Sequence, residues 1–139
     1  MRVVCDASVL VKLLLPEPDS HLASAIAAEY VIVVPEFALL EVTNALWAGA
    51  HDGGSSTDDA LYLFHKLERF EFDVRPVRPW IERALVIACA IDHPIYDCVY
   101  LAIAEEFDIP FVTADRRFLT ALRRTSVSIA DVKSLADFA

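Results

Sequence analysis

Four carboxylates stand where chemistry is most readily built. Asp6 and Asp115 each follow a short β-branched run, and Glu41 and Asp97 lie within long apolar stretches. Each also has a plain structural reading. Asp is a leading helix N-cap, so Asp6 before Ala7 and Asp115 before Arg116 can simply start helices. Glu41 is harder to explain that way, because Phe-Ala-Leu-Leu-Glu-Val-Thr-Asn-Ala-Leu-Trp is apolar nearly all round, as buried helices are. Its neighbours at helical spacing are Phe37, Ala38, Asn44 and Ala45. An unpaired buried carboxylate is costly, so an acid there either reaches a rim or serves a polar site. Asp97 opens Cys-Val-Tyr-Leu-Ala-Ile-Ala, again too apolar for a solvent face; as a cap it competes with Asp92, since Pro94 suits a first helical turn. Together the four form an all-oxygen donor set suited to a hard cation, Mg²⁺ or Mn²⁺. No other pattern competes. His21, His51, His65 and His93 are scattered without metal spacing and read as surface or loop residues, and Ser8 has no His and Asp partners at a recognisable triad spacing.

To bring these acids together, the chain needs elements that end at one edge. β-Branched runs at 3–5, 31–34, 74–77, 111–113 and 127–129 are the strand candidates. Between them, helical patterns cover 7–15, 22–29, 37–50, 58–70, 80–90, 96–107 and 116–124, with a loop at 51–57 where Gly53, Gly54, Ser55 and Ser56 fall together. Short apolar strands alternating with helices imply an α/β sandwich with a parallel sheet covered on both faces. In such a sheet ligands gather beyond the carboxyl ends of the strands, near the point where strand order reverses. Asp6 and Asp115, each just after a strand, should therefore project from the same edge.

Bulk properties narrow the class. A chain of 139 residues, 56% of them apolar with only three glycines, is one domain with a sizeable core and not a disordered chain. The apolar stretch after Arg2 is interrupted by Asp6 and Lys12 and lacks a small-residue cleavage site, so it reads as strand passing into helix and not as a secretory leader; a cytoplasmic location is expected. Cys5, Cys89 and Cys98 are odd in number and lie in apolar stretches, the pattern of buried thiols. Net charge is −9, which opposes nucleic-acid binding. The imbalance is local: residues 1–74 hold four basic and twelve acidic groups, whereas 75–139 hold eight and nine, with Arg116, Arg117, Arg123 and Arg124 close together.

These motifs resemble those of the PIN-domain family, and within it the single-domain VapC toxins of type II toxin–antitoxin pairs. Val-Val-Cys-Asp-Ala-Ser-Val-Leu-Val-Lys is similar to the family's opening strand, with Asp6 as its first metal-site acid and Ser8 as the hydroxyl residue that follows. Val-Pro-Glu-Phe-Ala-Leu-Leu-Glu-Val-Thr-Asn-Ala-Leu matches the second motif, at Glu41, with Asn44 one turn on. Tyr-Asp-Cys-Val-Tyr-Leu-Ala-Ile-Ala-Glu and Pro-Phe-Val-Thr-Ala-Asp-Arg-Arg-Phe place the third and fourth acids at Asp97 and Asp115, with Thr113 as a supporting hydroxyl. Cys98, where many relatives carry a small apolar residue, departs from the pattern. The resemblance spans nearly the whole chain. It implies a three-layer α/β sandwich around a five-stranded parallel sheet of order 3-2-1-4-5, Mg²⁺-dependent RNA cleavage with Mn²⁺ as a substitute, homodimers, and a cognate antitoxin that blocks the site.

On that reading a metal-activated water attacks an RNA phosphodiester, and Arg116 and Arg117 hold the flanking backbone. Other acid-rich α/β classes fit poorly. A phospho-acceptor domain needs paired acids after the first strand and a lysine after the last, whereas Cys5 precedes a single Asp6 and Ile129 leads to Ala130 and Asp131. A haloacid-type phosphatase wants a second acid where Ser8 stands. The remaining alternative is a PIN scaffold with little nuclease activity, working mainly as the antitoxin-bound or nucleic-acid-binding part of a complex.

Overall fold

The computed structural model describes residues 1–138. Its five strands are β1 (Arg2–Cys5), β2 (Val31–Pro35), β3 (Asp73–Arg75), β4 (Phe111–Thr113) and β5 (Val132–Ser134), all parallel in the order β3-β2-β1-β4-β5. The helices are α1 (Ala7–Leu10), α2 (Ser20–Glu29), α3 (Phe37–Gly53), α4 (Thr57–Glu68), α5 (Ile81–Ile91), α6 (Ile95–Phe107), α7 (Arg116–Arg123) and α8 (Leu135–Phe138). Successive side chains of a strand point to opposite faces, and Val3, Val4 and Cys5 of β1 are all fully buried. Helices therefore cover the sheet on both sides, in the three-layer α/β sandwich expected. Helix α6 is the most enclosed, buried at every position from Cys98 to Ala104.

Strand order reverses between β1 and β4, where Cys5 lies opposite Val112. Asp6 thus emerges beside Thr113 at the carboxyl edge of the sheet, which is the switch point.

Several boundaries differ from the expectation, each for a physical reason. The fifth strand is not at 127–129, which is irregular with Val127 exposed, but at Val132–Ser134, where Phe111, Val112 and Thr113 supply pairing partners. At a sheet edge the available partner outweighs β-propensity. The third strand ends at Arg75 because Pro76 has no N–H for a ladder. The first helix is one α-turn followed by a 3-10 turn at Val11–Leu13. The 51–57 loop shrinks to Gly54–Ser56: α3 runs on to Gly53, Gly54 takes the left-handed conformation at φ 72°, and Ser56 with Asp59 forms a reciprocal capping box for α4. Cys5 and Cys98 are buried as expected, but Cys89 lies on the exposed side of α5. Among the described residues no single helix is long and apolar enough to cross a bilayer.

Candidate active site

Among the described residues, Asp6 and Thr113 are the buried polar side chains, and they bond to each other. Asp6, 5% exposed, caps α1 by accepting the Ser8 N–H at 3.1 Å. It also accepts the Ser8 hydroxyl, and the Thr113 hydroxyl at 2.5 Å. Ser8 Oγ in turn accepts the Ala114 N–H at 2.9 Å, and Thr113 Oγ1 accepts the Asp115 N–H at 3.0 Å. Two hydroxyls therefore stitch the end of β1 to the end of β4. Burial pushes the Asp6 carboxyl up to about 7 despite the Ser8 and Thr113 hydrogen bonds, which favour its charged form, and the nearby Asp97 charge pushes the same way. No cation pairs with Asp6 among the described residues.

Glu41 lies at a rim. Helix α3 is not buried all round: Ala38, Val42 and Leu46 form its inward stripe, while Leu40, Glu41, Asn44 and Trp47 are exposed. The carboxylate nevertheless folds back to accept the Tyr100 hydroxyl at 2.6 Å. Desolvation of that end raises its pKa, against the Tyr100 hydrogen bond, and the Asp97 charge adds to the rise. Tyr100 is itself buried, stacked on Phe111 and edge-on to Phe37, and burial drives its phenol far above its usual value, so it remains a donor. Tyr100→Phe keeps the aromatic packing and removes only the donor. The expected result is a stability loss of about 1 kcal/mol by thermal melt with cleavage reduced about tenfold, as for the loss of a group that orients a metal ligand.

Asp97 sits in the first turn of α6 without capping it. Pro94 is the N-cap, and Asp92 is instead the left-handed C-cap of α5. The Asp97 Oδ2 lies 2.7 Å from His93 Nε2. His93 is therefore not the unattached loop histidine expected from spacing alone. Asp115 caps α7, its Oδ1 accepting the Arg117 and Phe118 N–H groups at 3.0 and 3.1 Å. Asn44 is exposed one turn from Glu41 and makes no side-chain hydrogen bond among the described residues.

Asp6 and Glu41 thus each feel the Asp97 charge, and all three carboxylates act on Tyr100. Asp115 lies at the same strand edge but is turned to its helix. Among the described residues no three Asp, Glu, His or Cys side chains already stand in an arrangement that encloses a metal. The donor chemistry nonetheless fits a divalent cation: a buried carboxylate without a cationic partner, oxygen donors throughout, and free oxygens on Asp97 and Asp115. Tyr100 and His93 were not legible as site residues, Tyr100 because it sits in an apolar run and His93 because a lone histidine carries no spacing signal.

A family model described as PIN domain matches residues 3–123. The chain belongs to the PIN domain family. It is 31% identical over 121 residues to Ribonuclease VapC3 of Pyrobaculum aerophilum, across 84% of this chain and 92% of that protein, which places it among VapC-type ribonucleases. Its fold is also that of Mycobacterium tuberculosis VapC20, a sarcin-ricin loop cleaving toxin, at TM-score 0.65 and 17% identity over 86% of this chain and 94% of that one. A toxin–antitoxin complex from Klebsiella pneumoniae contains a chain similar at TM-score 0.58 and 15% identity, over 93% of this PIN domain and 98% of that chain.

Proposed function

We propose that this PIN domain is the toxin of a toxin–antitoxin pair, a Mg²⁺-dependent endoribonuclease in which Asp6, Glu41, Asp97 and Asp115 hold the cation and Mn²⁺ can replace it. The observation that carries the reading is the burial of Asp6, without a cationic partner, at the point where strand order reverses. A bound Mg²⁺ would neutralise charge at the phosphate and activate a water for in-line attack on phosphorus. The chain's own part is positional: Ser8 and Thr113 fix Asp6, Tyr100 fixes Glu41, and Asp115 stands at the rim beside the arginines of α7. Cleavage of RNA by the purified, antitoxin-free protein with Mg²⁺, and its loss in excess EDTA, tests the reading. Intact binding partners with no cleavage would favour the alternative of a largely inactive scaffold.

The two arginines after Asp115 face different ground. Arg116 joins Lys12 and Arg123 around a cavity of about 410 Å³ that also reaches Ala114, between Thr113 and Asp115. Arg117 borders a shallower hollow of about 310 Å³ with Arg116 and Arg124. Both fit the flanking phosphates of an RNA whose cut site lies at the acids. Changing both to Ala should weaken binding of all RNAs alike and flatten the dependence of log K on log salt by roughly one to two units. A salt slope equal to wild type would remove these residues from the RNA path.

The antitoxin is taken to dock on an apolar face and to reach the acids with a basic side chain. Leu40 and Trp47, seven residues apart on α3, are 72% and 60% exposed and supply such a face. Trp80, the chain's other tryptophan, cannot serve as an anchor: it is buried against Phe107 and bonds to Glu106. Coexpressed with the product of its genomic neighbour, wild type should copurify as a complex and Trp47→Ser should release it; a wild-type chain that purifies alone overturns the partner. A homodimer and a cytoplasmic location complete the reading, the first checked by sedimentation and the second by fractionation.

A further inference from the structure

His93 lies in the three-residue connection between α5 and α6, and four features fix it there. Asp92 takes the left-handed conformation at φ 53°, tolerated by Asp more than by most residues, and turns the chain. The His93 N–H donates to the Ala88 carbonyl at 3.2 Å. The His93 ring packs on Phe118 with centroids 5.0 Å apart. Its Nε2 lies 2.7 Å from Asp97 Oδ2. A carboxylate offers only acceptors, so Nε2 carries the hydrogen and donates.

The simplest account is a surface His–Asp pair of small worth. The surroundings argue otherwise. The His93 side chain is only 17% exposed and that of Asp97 28%. Phe118, under the ring, is fully enclosed, and its N–H is one of the two that Asp115 accepts. One imidazole therefore touches Asp97 directly and, through Phe118, braces the turn that carries Asp115. Asp97 needs such a brace because it caps nothing: released, its side chain would be free to populate other staggered χ1 wells on an open first turn. With Oδ2 engaged, Oδ1 accepts no hydrogen bond among the described residues.

We propose that His93 is a positioning residue for the metal site: its Nε2–H holds the Asp97 carboxylate so that Oδ1 is left to a divalent cation. This rests on the metal reading above. Groups that orient a metal ligand through a hydrogen bond typically change metal affinity by about 10 to 100-fold when removed. Among the described residues, His93 is the one side chain that hydrogen-bonds Asp97.

The test is Mn²⁺ binding to the purified full chain without RNA, followed by the loss of the free-ion electron paramagnetic resonance signal. Gln and Asn separate reach from polarity: a Gln amide nitrogen falls where Nε2 stands, and an Asn amide nitrogen only where Nδ1 stands. His93→Asn and His93→Leu should weaken Mn²⁺ binding about 10 to 100-fold, and His93→Gln should recover most of it. Melts in EDTA should show all three folded, and the KM for RNA at saturating metal should be unchanged. If His93→Leu fails to fold, the Gln and Asn pair decides alone. Wild-type affinity in His93→Asn overturns the proposal, and so does a Gln variant as weak as Asn, which would assign the effect to ring packing. A wild type that binds no Mn²⁺ overturns the metal reading itself; a wild type that binds it while the variants match overturns only the role of His93.

Discussion

Asp97→Asn is expected to lower RNA cleavage by roughly three orders of magnitude while leaving the protein folded. A cation acting on a phosphate contributes several kcal/mol to the transition state, and about 4 kcal/mol is a factor of roughly a thousand. The fold loses far less. Asp97 is in the first turn of α6, where a negative charge interacting with the helix dipole is worth about 0.3 to 1 kcal/mol, and Asn can still accept from His93 Nε2. The expected melt is therefore within a few degrees of wild type, so lost activity cannot be assigned to lost structure. Ca²⁺ should support cleavage poorly in wild type, because it prefers more ligands at longer distances than Mg²⁺. Measuring cleavage of one labelled RNA by both proteins in Mg²⁺, Ca²⁺ and EDTA, beside a thermal melt of each, checks all three statements. Undiminished cleavage by Asp97→Asn, or by wild type in excess EDTA, would sink the metal mechanism.

What could be read without coordinates, and what could not, follows from the range of the forces involved. Alternation of short β-branched runs with helical periods is local, and it was enough for a parallel α/β sandwich with Asp6 and Asp115 beyond strand ends. The strand order rests on motif resemblance alone, since pairing between β1 and β4 joins residues more than a hundred positions apart, whereas Glu41 and Asp97 stand out as acids in apolar helices. Edge elements were misplaced where partners and not propensities decide: β5 carries Lys133 and Ser134, poor strand signals, and pairs only because β4 offers an open ladder. Helix α8 gave no signal at four residues. Burial of particular side chains was the weakest reading. The apolar run around Glu41 suggested enclosure, yet Leu40 and Trp47 face outward, whereas Trp80 is covered. Tyr100 and His93 were invisible because their role is defined by the partner each reaches, Glu41 across 59 positions and Asp97 across one turn.

Asn at Asp6 or at Asp115 separates helix capping from metal binding, because Asn caps about as well as Asp yet removes the charge a metal needs. For Asp6 the sign of the pH effect follows from its position. Burial raises its carboxyl from the usual 3.8 to about 7, so the folded state holds the proton more tightly than the unfolded state. The stability this contributes is complete below pH about 4 and is lost as pH rises through about 7. Metal-free wild type should therefore lose stability across that window relative to Asp6→Asn, which does not titrate. Ser8 and Thr113 are hydroxyls that can rotate to accept from the new amide, so the substitution leaves no stranded polar group. In EDTA at pH 8, Asp6→Asn should melt at or above wild type, and at pH 4 the advantage should vanish. Asp115 is not among the charges acting on Asp6 or Glu41, and its capping bonds survive in Asn, so Asp115→Asn should melt close to wild type in EDTA at both pH values. Added Mg²⁺ should stabilise wild type by mass action, as any ligand of the folded state does, and should do little for either variant. Both variants should lose nearly all cleavage. Thermal melts at the two pH values with and without Mg²⁺, beside one cleavage assay, contain every comparison. Equal Mg²⁺ stabilisation in the three proteins, or Asn variants that cut RNA at the wild-type rate, would leave Asp6 and Asp115 as helix caps and nothing more.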